Sequence, residues 1–122
     1  MKAKVLIADD SAQMRMILKE ILVHNGCEIT DEAENGKEAV EMYSRHKPDV
    51  VILDLSMPVM DGIEALKEIR RHTTQLPVIM QTAYAFDTDR RIAEEAGCNG
   101  FITKPVMPRE LKMYLDMSLK KA

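Results

Sequence analysis

Four short apolar runs constrain the fold of this chain more than any other feature. They are Val5-Leu6-Ile7-Ala8, Val50-Val51-Ile52-Leu53, Val78-Ile79-Met80 and Phe101-Ile102. Each is too short for a helix, and none alternates apolar with polar residues. Such runs form strands buried on both faces, as in a parallel sheet covered by helices. A fifth, weaker strand spans 28–33. There Ile29 and Ala33 stand among polar residues, as on a sheet edge.

Helical patterns fill the intervals. Ser11 is a good N-cap, and Met14, Ile17, Leu18, Ile21 and Leu22 then recur at spacings of three and four, until Asn25-Gly26 stops the helix. Residues 36–45 carry Ala39, Val40 and Tyr43, and residues 62–71 carry Ile63, Leu66 and Ile69. A fourth helix over 87–96 opens on Asp87 as an N-cap acid. The fifth, over 107–120, carries Leu111, Leu115 and Leu119. The order βαβαβαβαβα predicts an α/β doubly wound sheet, because parallel strands need crossover helices.

The 122 residues allow one domain, since two would leave neither with enough core. A formal net charge of -3 provides no global field for nucleic acid or an anionic membrane. No apolar run approaches the roughly 18 residues of a membrane span. Cys27 and Cys98 lie far apart with no paired ligands, so a zinc site is disfavoured and two free thiols in the cytoplasm are expected. His24, His46 and His72 sit near helix ends and read as surface residues. Arg70-Arg71 and Arg90-Arg91 read as solvated helix faces.

Ligands of doubly wound sheets sit beyond the carboxyl ends of the strands. There this sequence places Asp9 and Asp10 after strand one, Asp54 after strand three, Thr82 after strand four and Lys104 after strand five. Crowded carboxylates repel one another, and a divalent cation relieves that repulsion. Magnesium suits one or two carboxylates plus phosphate oxygen. A carboxylate can take a phosphoryl group when a metal and an ammonium neutralise the charge on the equatorial oxygens. Lys104 supplies the ammonium, and Thr82 a hydroxyl for the phosphoryl oxygen. Taken singly, each of these residues has a plainer reading, as a helix cap, a turn or a loop; Asp61-Gly62 reads as a turn.

Together the segments Val5-Leu6-Ile7-Ala8-Asp9-Asp10-Ser11, Leu53-Asp54-Leu55-Ser56-Met57-Pro58-Val59-Met60-Asp61-Gly62, Thr82-Ala83 and Thr103-Lys104-Pro105 resemble the receiver domains of two-component response regulators, the CheY-like family. The resemblance runs along almost the whole chain. It implies a flavodoxin-like three-layer sandwich with a five-stranded parallel sheet of order 2-1-3-4-5 and five helices. It implies that Asp54 accepts the phosphoryl group. Asp10 would bind Mg2+ directly, with Mn2+ as a substitute, Asp9 would act mainly through water, and the Ser56 carbonyl would complete the protein ligands. Thr82 and Lys104 would hold the phosphoryl group, and the Lys104–Pro105 peptide would be cis. Phe101 falls at the family's rotating aromatic position, and Tyr84 lies beside the path of hydrolytic water.

The implied function is a cytoplasmic phosphorylation switch rather than a classical enzyme, one that assists its own phosphorylation and dephosphorylation. Its donor would be a histidine kinase or histidine phosphotransfer protein, and its output a contact with a downstream protein. No direct nucleic-acid contact or membrane insertion is expected. The expected state is a monomer, with dimerisation on phosphorylation left open. The expected partner surface is helix four, strand five and helix five, with Phe86 and Phe101 at its border and an exposed Tyr114, Met113 and Met117. Alternatives are a receiver excised from a hybrid kinase and an unphosphorylated pseudo-receiver. A haloacid-dehalogenase-type phosphatase would place a second acid where Ser56 stands. A flavodoxin-like cofactor binder would need a phosphate-cradling loop where the acidic Asp9-Asp10-Ser11 stands.

Overall fold

The computed structural model describes residues 2–83 and 86–119. Five strands, β1 (Ala3–Ala8), β2 (Cys27–Ala33), β3 (Val50–Asp54), β4 (Val78–Thr82) and β5 (Gly100–Thr103), alternate with five helices. These are α1 (Ala12–His24), α2 (Gly36–His46), α3 (Gly62–His72), α4 (Asp87–Glu95) and α5 (Pro108–Ser118). All neighbouring strands pair parallel, in the order β2-β1-β3-β4-β5.

The apolar runs are buried on both faces, and alternate residues feed two cores. Val5, Ile7, Val50, Ile52, Ile79 and Ile102 pack with Leu18 and Leu22 of α1 and Leu111 and Leu115 of α5. Leu6, Val51, Leu53, Val78, Met80 and Phe101 face the other way. They meet Ala39 of α2, Leu66 and Ile69 of α3, and Ala93 of α4. The period of two in a strand thus puts α1 and α5 on one side of the sheet and α2, α3 and α4 on the other.

The edge strand departs from simple alternation. Val5 pairs with Ile29 but Leu6 with Asp31, so Thr30 is an extra residue in a bulge, its hydroxyl bonding the Val5 carbonyl at 3.2 Å. Ile29 and Ala33, four residues apart, would share a face of a regular strand. With the bulge between them, Ile29 joins the α1/α5 core and Ala33 the opposite one. The strand also begins one residue earlier than its polar pattern suggests, because Cys27 is buried.

Two local expectations are corrected. Asp87 lies inside α4 as its first residue, and the N-cap is Phe86, which makes no side-chain cap bond; Asp87 and Asp89 instead place negative charge in the first turn. Arg70 is half-buried rather than solvated, whereas Arg71, Arg90 and Arg91 are exposed as expected. The Arg70 guanidinium donates to the Gly97 carbonyl at 3.0 and 2.8 Å and to Asn99 Oδ1 at 2.9 Å. Arg90 lies over the Phe101 ring, 5.0 Å from its centroid. The histidines do close α1, α2 and α3, and His46 Nδ1 contacts Asp31 Oδ2.

Candidate functional site

The carboxyl ends of β1, β3, β4 and β5 converge because β2 occupies the edge. The sheet ladder continues one step past the strands, with the Leu55 N–H donating to the Gln81 carbonyl at 2.8 Å and the Lys104 N–H to the Thr82 carbonyl at 2.7 Å. These bonds fix the loops carrying Asp54 and Lys104 to β4. Asp9 and Thr82 are buried, Asp54 is 4% exposed, and Asp10 is exposed. One carboxylate oxygen from each of Asp9, Asp10 and Asp54 lies within 4.8 Å of the others.

The Lys104 ammonium bridges two of them, at 3.0 Å from Asp9 Oδ2 and 3.3 Å from Asp54 Oδ2. Burial pulls its pKa down, but the hydrogen bond to Asp9 and the charges of Asp54 and Asp9 outweigh it, so the lysine stays charged. The Lys104–Pro105 peptide is cis. Asp54 responds in the opposite sense. Burial, and then the charge of Asp9, push its carboxyl up to about 6 against the pull of Lys104 and of the Ser56 N–H. Three acids facing one ammonium leave excess negative charge in a desolvated crevice. That is an arrangement a divalent cation with oxygen ligands fits. Asp9, Asp10 and Asp54 would hold it, and the exposed Ser56 sits two residues beyond Asp54 in the same loop.

Three contributors escaped the sequence reading. Gln81, 0% exposed, donates from Nε2 to Asp9 Oδ2 at 3.0 Å. Its signal was an amide inside an otherwise apolar strand, one residue before Thr82. Arg15 of α1 donates from Nη1 to the Asp9 backbone carbonyl at 2.6 Å and from Nε to Glu32 Oε1 at 3.1 Å, while Lys19 binds the other Glu32 oxygen at 2.9 Å. The edge strand thus braces the β1–α1 loop through Arg15, although it supplies no residue to the crevice. Arg15 reads in sequence as one more polar helix position. Gly62, read as part of a turn, begins α3 directly against the Asp54 backbone. Asp61 caps that helix in a reciprocal capping box with Glu64.

Of the residues expected at the partner surface, Phe86, Met113 and Met117 are exposed, and Phe101 is buried beneath Arg90. Tyr114 departs from expectation. It is half-buried, joins the α1/α5 core, and its ring lies so close to Gly100 that a Cβ there would fall 2.6 Å from it. The absent side chain at Gly100 makes the room that draws Tyr114 inward. Tyr84 lies outside the described residues.

Among the described residues, no helix is long and apolar enough to cross a membrane. The profile of the response regulator receiver domain matches residues 5–116. The chain is 50% identical over 105 residues to the chemotaxis protein CheY of Bacillus subtilis, covering 86% of this chain and 88% of that one. It is 44% identical over 116 residues to the CheY of Thermotoga maritima, covering 95% and 97%. Among solved structures, the CheX–CheY–BeF3–Mg2+ complex of Borrelia burgdorferi matches with a TM-score of 0.92 at 33% identity, covering 98% of this chain and 90% of that one. The sheet order, the acidic crevice and these matches agree, and the chain belongs to the response regulator receiver domain family.

Proposed function

We propose that this receiver is a phosphorylation switch in which Asp54 accepts a phosphoryl group in the presence of Mg2+. The observation that carries the reading is the Lys104 ammonium bridging Asp9 and Asp54 beside a third carboxylate. An Asp54 oxygen attacks phosphorus, the bond from phosphorus to the donor's histidine nitrogen breaks, and the electron pair leaves with that nitrogen. Bound among Asp9, Asp10, Asp54 and the Ser56 carbonyl, Mg2+, or Mn2+ in its place, supplies charge neutralisation for the transferring oxygens. Lys104 pairs with one phosphoryl oxygen, and Thr82 donates its hydroxyl to another. The buried position of Asp54 keeps bulk water from the acyl phosphate.

The donor is a histidine kinase or a histidine phosphotransfer protein, and the output is contact with a downstream protein target in the cytoplasm. That contact is made by α4, β5 and α5, where Phe86, Met113 and Met117 are exposed and Met is adaptable contact material. Phosphorylation draws the Thr82 loop inward and shifts the Phe101 ring population, a modest free-energy bias on a two-state element. Incubation with Mg2+ and acetyl phosphate tests the reading by intact mass. One phosphoryl group is expected on the parent and none on Asp54→Asn or without Mg2+; an unmodified parent overturns it.

A further inference from the structure

We propose that Gln81 sets the magnesium affinity of the acidic site by supplying Asp9 with a neutral donor that competes with the cation's stabilising effect. The inference rests on the reading that Mg2+ binds among Asp9, Asp10 and Asp54. Gln81 is fully buried in β4, between Met80 and Thr82. Its amide orientation follows from chemistry. An ionised carboxylate only accepts, so Nε2 faces Asp9 Oδ2, and the flipped amide would set oxygen against oxygen. Among the described residues, the buried Oε1 then has no hydrogen-bond partner.

A buried carbonyl without a donor costs stability, and an apolar side chain would fill the same place without that cost. The advantage of an amide here therefore lies in its bond to Asp9. Asp9 is fully buried, and among the described residues its carboxylate takes three donors: the Ser11 N–H on Oδ1 at 2.8 Å, and Gln81 and Lys104 on Oδ2, each at 3.0 Å. Lys104 is shared with Asp54. Gln81 is the side-chain donor directed to Asp9 alone. Removing it leaves a buried anion under-compensated, and a nearby divalent cation supplies what is missing. The loss therefore falls harder on the metal-free protein than on the magnesium-bound one, so affinity for Mg2+ rises. Replacing a Gln81 that only filled space would change the stability of both forms equally and leave the affinity unmoved.

The test is Mg2+ titration of the full chain followed by amide and side-chain NMR shifts, in the parent, Q81M and Q81L. Both variants are expected to bind Mg2+ about three- to tenfold more tightly, the share of a charge-assisted hydrogen bond that differs between the two forms. Their thermal midpoints should also gain more from saturating Mg2+ than that of the parent. Unchanged or weaker affinity in a folded variant overturns the proposal. The parent alone provides a second reading if the variants do not fold. Its Gln81 side-chain NH2 resonance should move as Mg2+ is added, and a stationary resonance beside shifting Asp9 and Asp54 amides overturns the proposal while leaving the phosphorylation reading intact. A parent in which no resonance responds to Mg2+ instead removes the magnesium reading itself, and this inference with it.

Discussion

Gly62 stands against the backbone of the residue read as the phosphoacceptor: a Cβ built on it would fall 2.2 Å from the Asp54 carbonyl oxygen and 2.9 Å from the Met80 methyl. The Met80 methyl can yield, but the carbonyl is backbone. The first turn of α3 reaches this close because its Leu55–Gly62 bond, 2.9 Å long, ties the helix to the strand end. Gly62→Ala should therefore push Asp54 out of register with Lys104. A stability loss of about 1–3 kcal/mol is expected in urea unfolding. Phosphorylation by acetyl phosphate should fall more than the loss of folded protein explains.

The raised carboxyl of Asp54 makes metal-free stability depend on pH with a definite sign. The folded protein holds this proton up to about pH 6, whereas the unfolded chain releases it near the ordinary carboxyl value of 3.8. Between those values the unfolded state gains by ionising and the folded state does not, so stability falls as pH rises through the window and levels off above it. Asp54→Asn removes this contribution. In metal-free buffer it should be more stable than the parent above pH 6, by on the order of 2–3 kcal/mol, with the two converging toward pH 4. Denaturant melts across that range check it, and an Asn variant less stable at pH 7 would contradict the placement of Asp54.

Arg15 makes a different kind of contribution, as a brace from the sheet edge to the Asp9 carbonyl. Arg15→Met keeps the stem and removes the 2.6 Å bond to Asp9 and the ion pair with Glu32. Because that side chain is 13% exposed, the loss should reach about 1.5–3 kcal/mol. Lys19→Met should cost much less, since its side chain is 39% exposed and its charge is screened by solvent.

The exposed methionines of α5 test the output surface. Met113→Ala with Met117→Ala should leave phosphorylation and stability near the parent's, because both side chains lie largely in solvent. Capture of the phosphorylation-dependent partner should weaken severalfold. Tyr114 is unsuitable for the same test, since its ring packs over Gly100 and its removal opens a cavity.

The framework was legible because its cause is local. Runs such as Val50-Val51-Ile52-Leu53 are apolar on both sides only where both sides of a sheet are covered, and Ser11 and Gly26 punctuate α1 through their own backbone preferences. The acids at the strand ends were legible for the same reason, since a parallel sheet directs every strand end to one edge. What escaped depends on contacts across the fold. Thr30 offers no sign of a bulge until it is paired with β1. Arg15 acquires its meaning from Glu32, seventeen positions away. Tyr114 turns inward because Gly100, on another element, has no side chain. Asp87 reads as a cap because an acid before a helix usually is one, whereas the chain enters the helix one residue sooner, at Phe86.

The most direct test of the central claim locates the phosphoryl group on the chain. The protein is phosphorylated with acetyl phosphate and Mg2+, reduced with borohydride, which converts an aspartyl phosphate to homoserine, and mapped by peptide mass. The account predicts homoserine at position 54 and at neither Asp9 nor Asp10. Homoserine at either of those acids, or a phosphorylated protein with none at position 54, would contradict it.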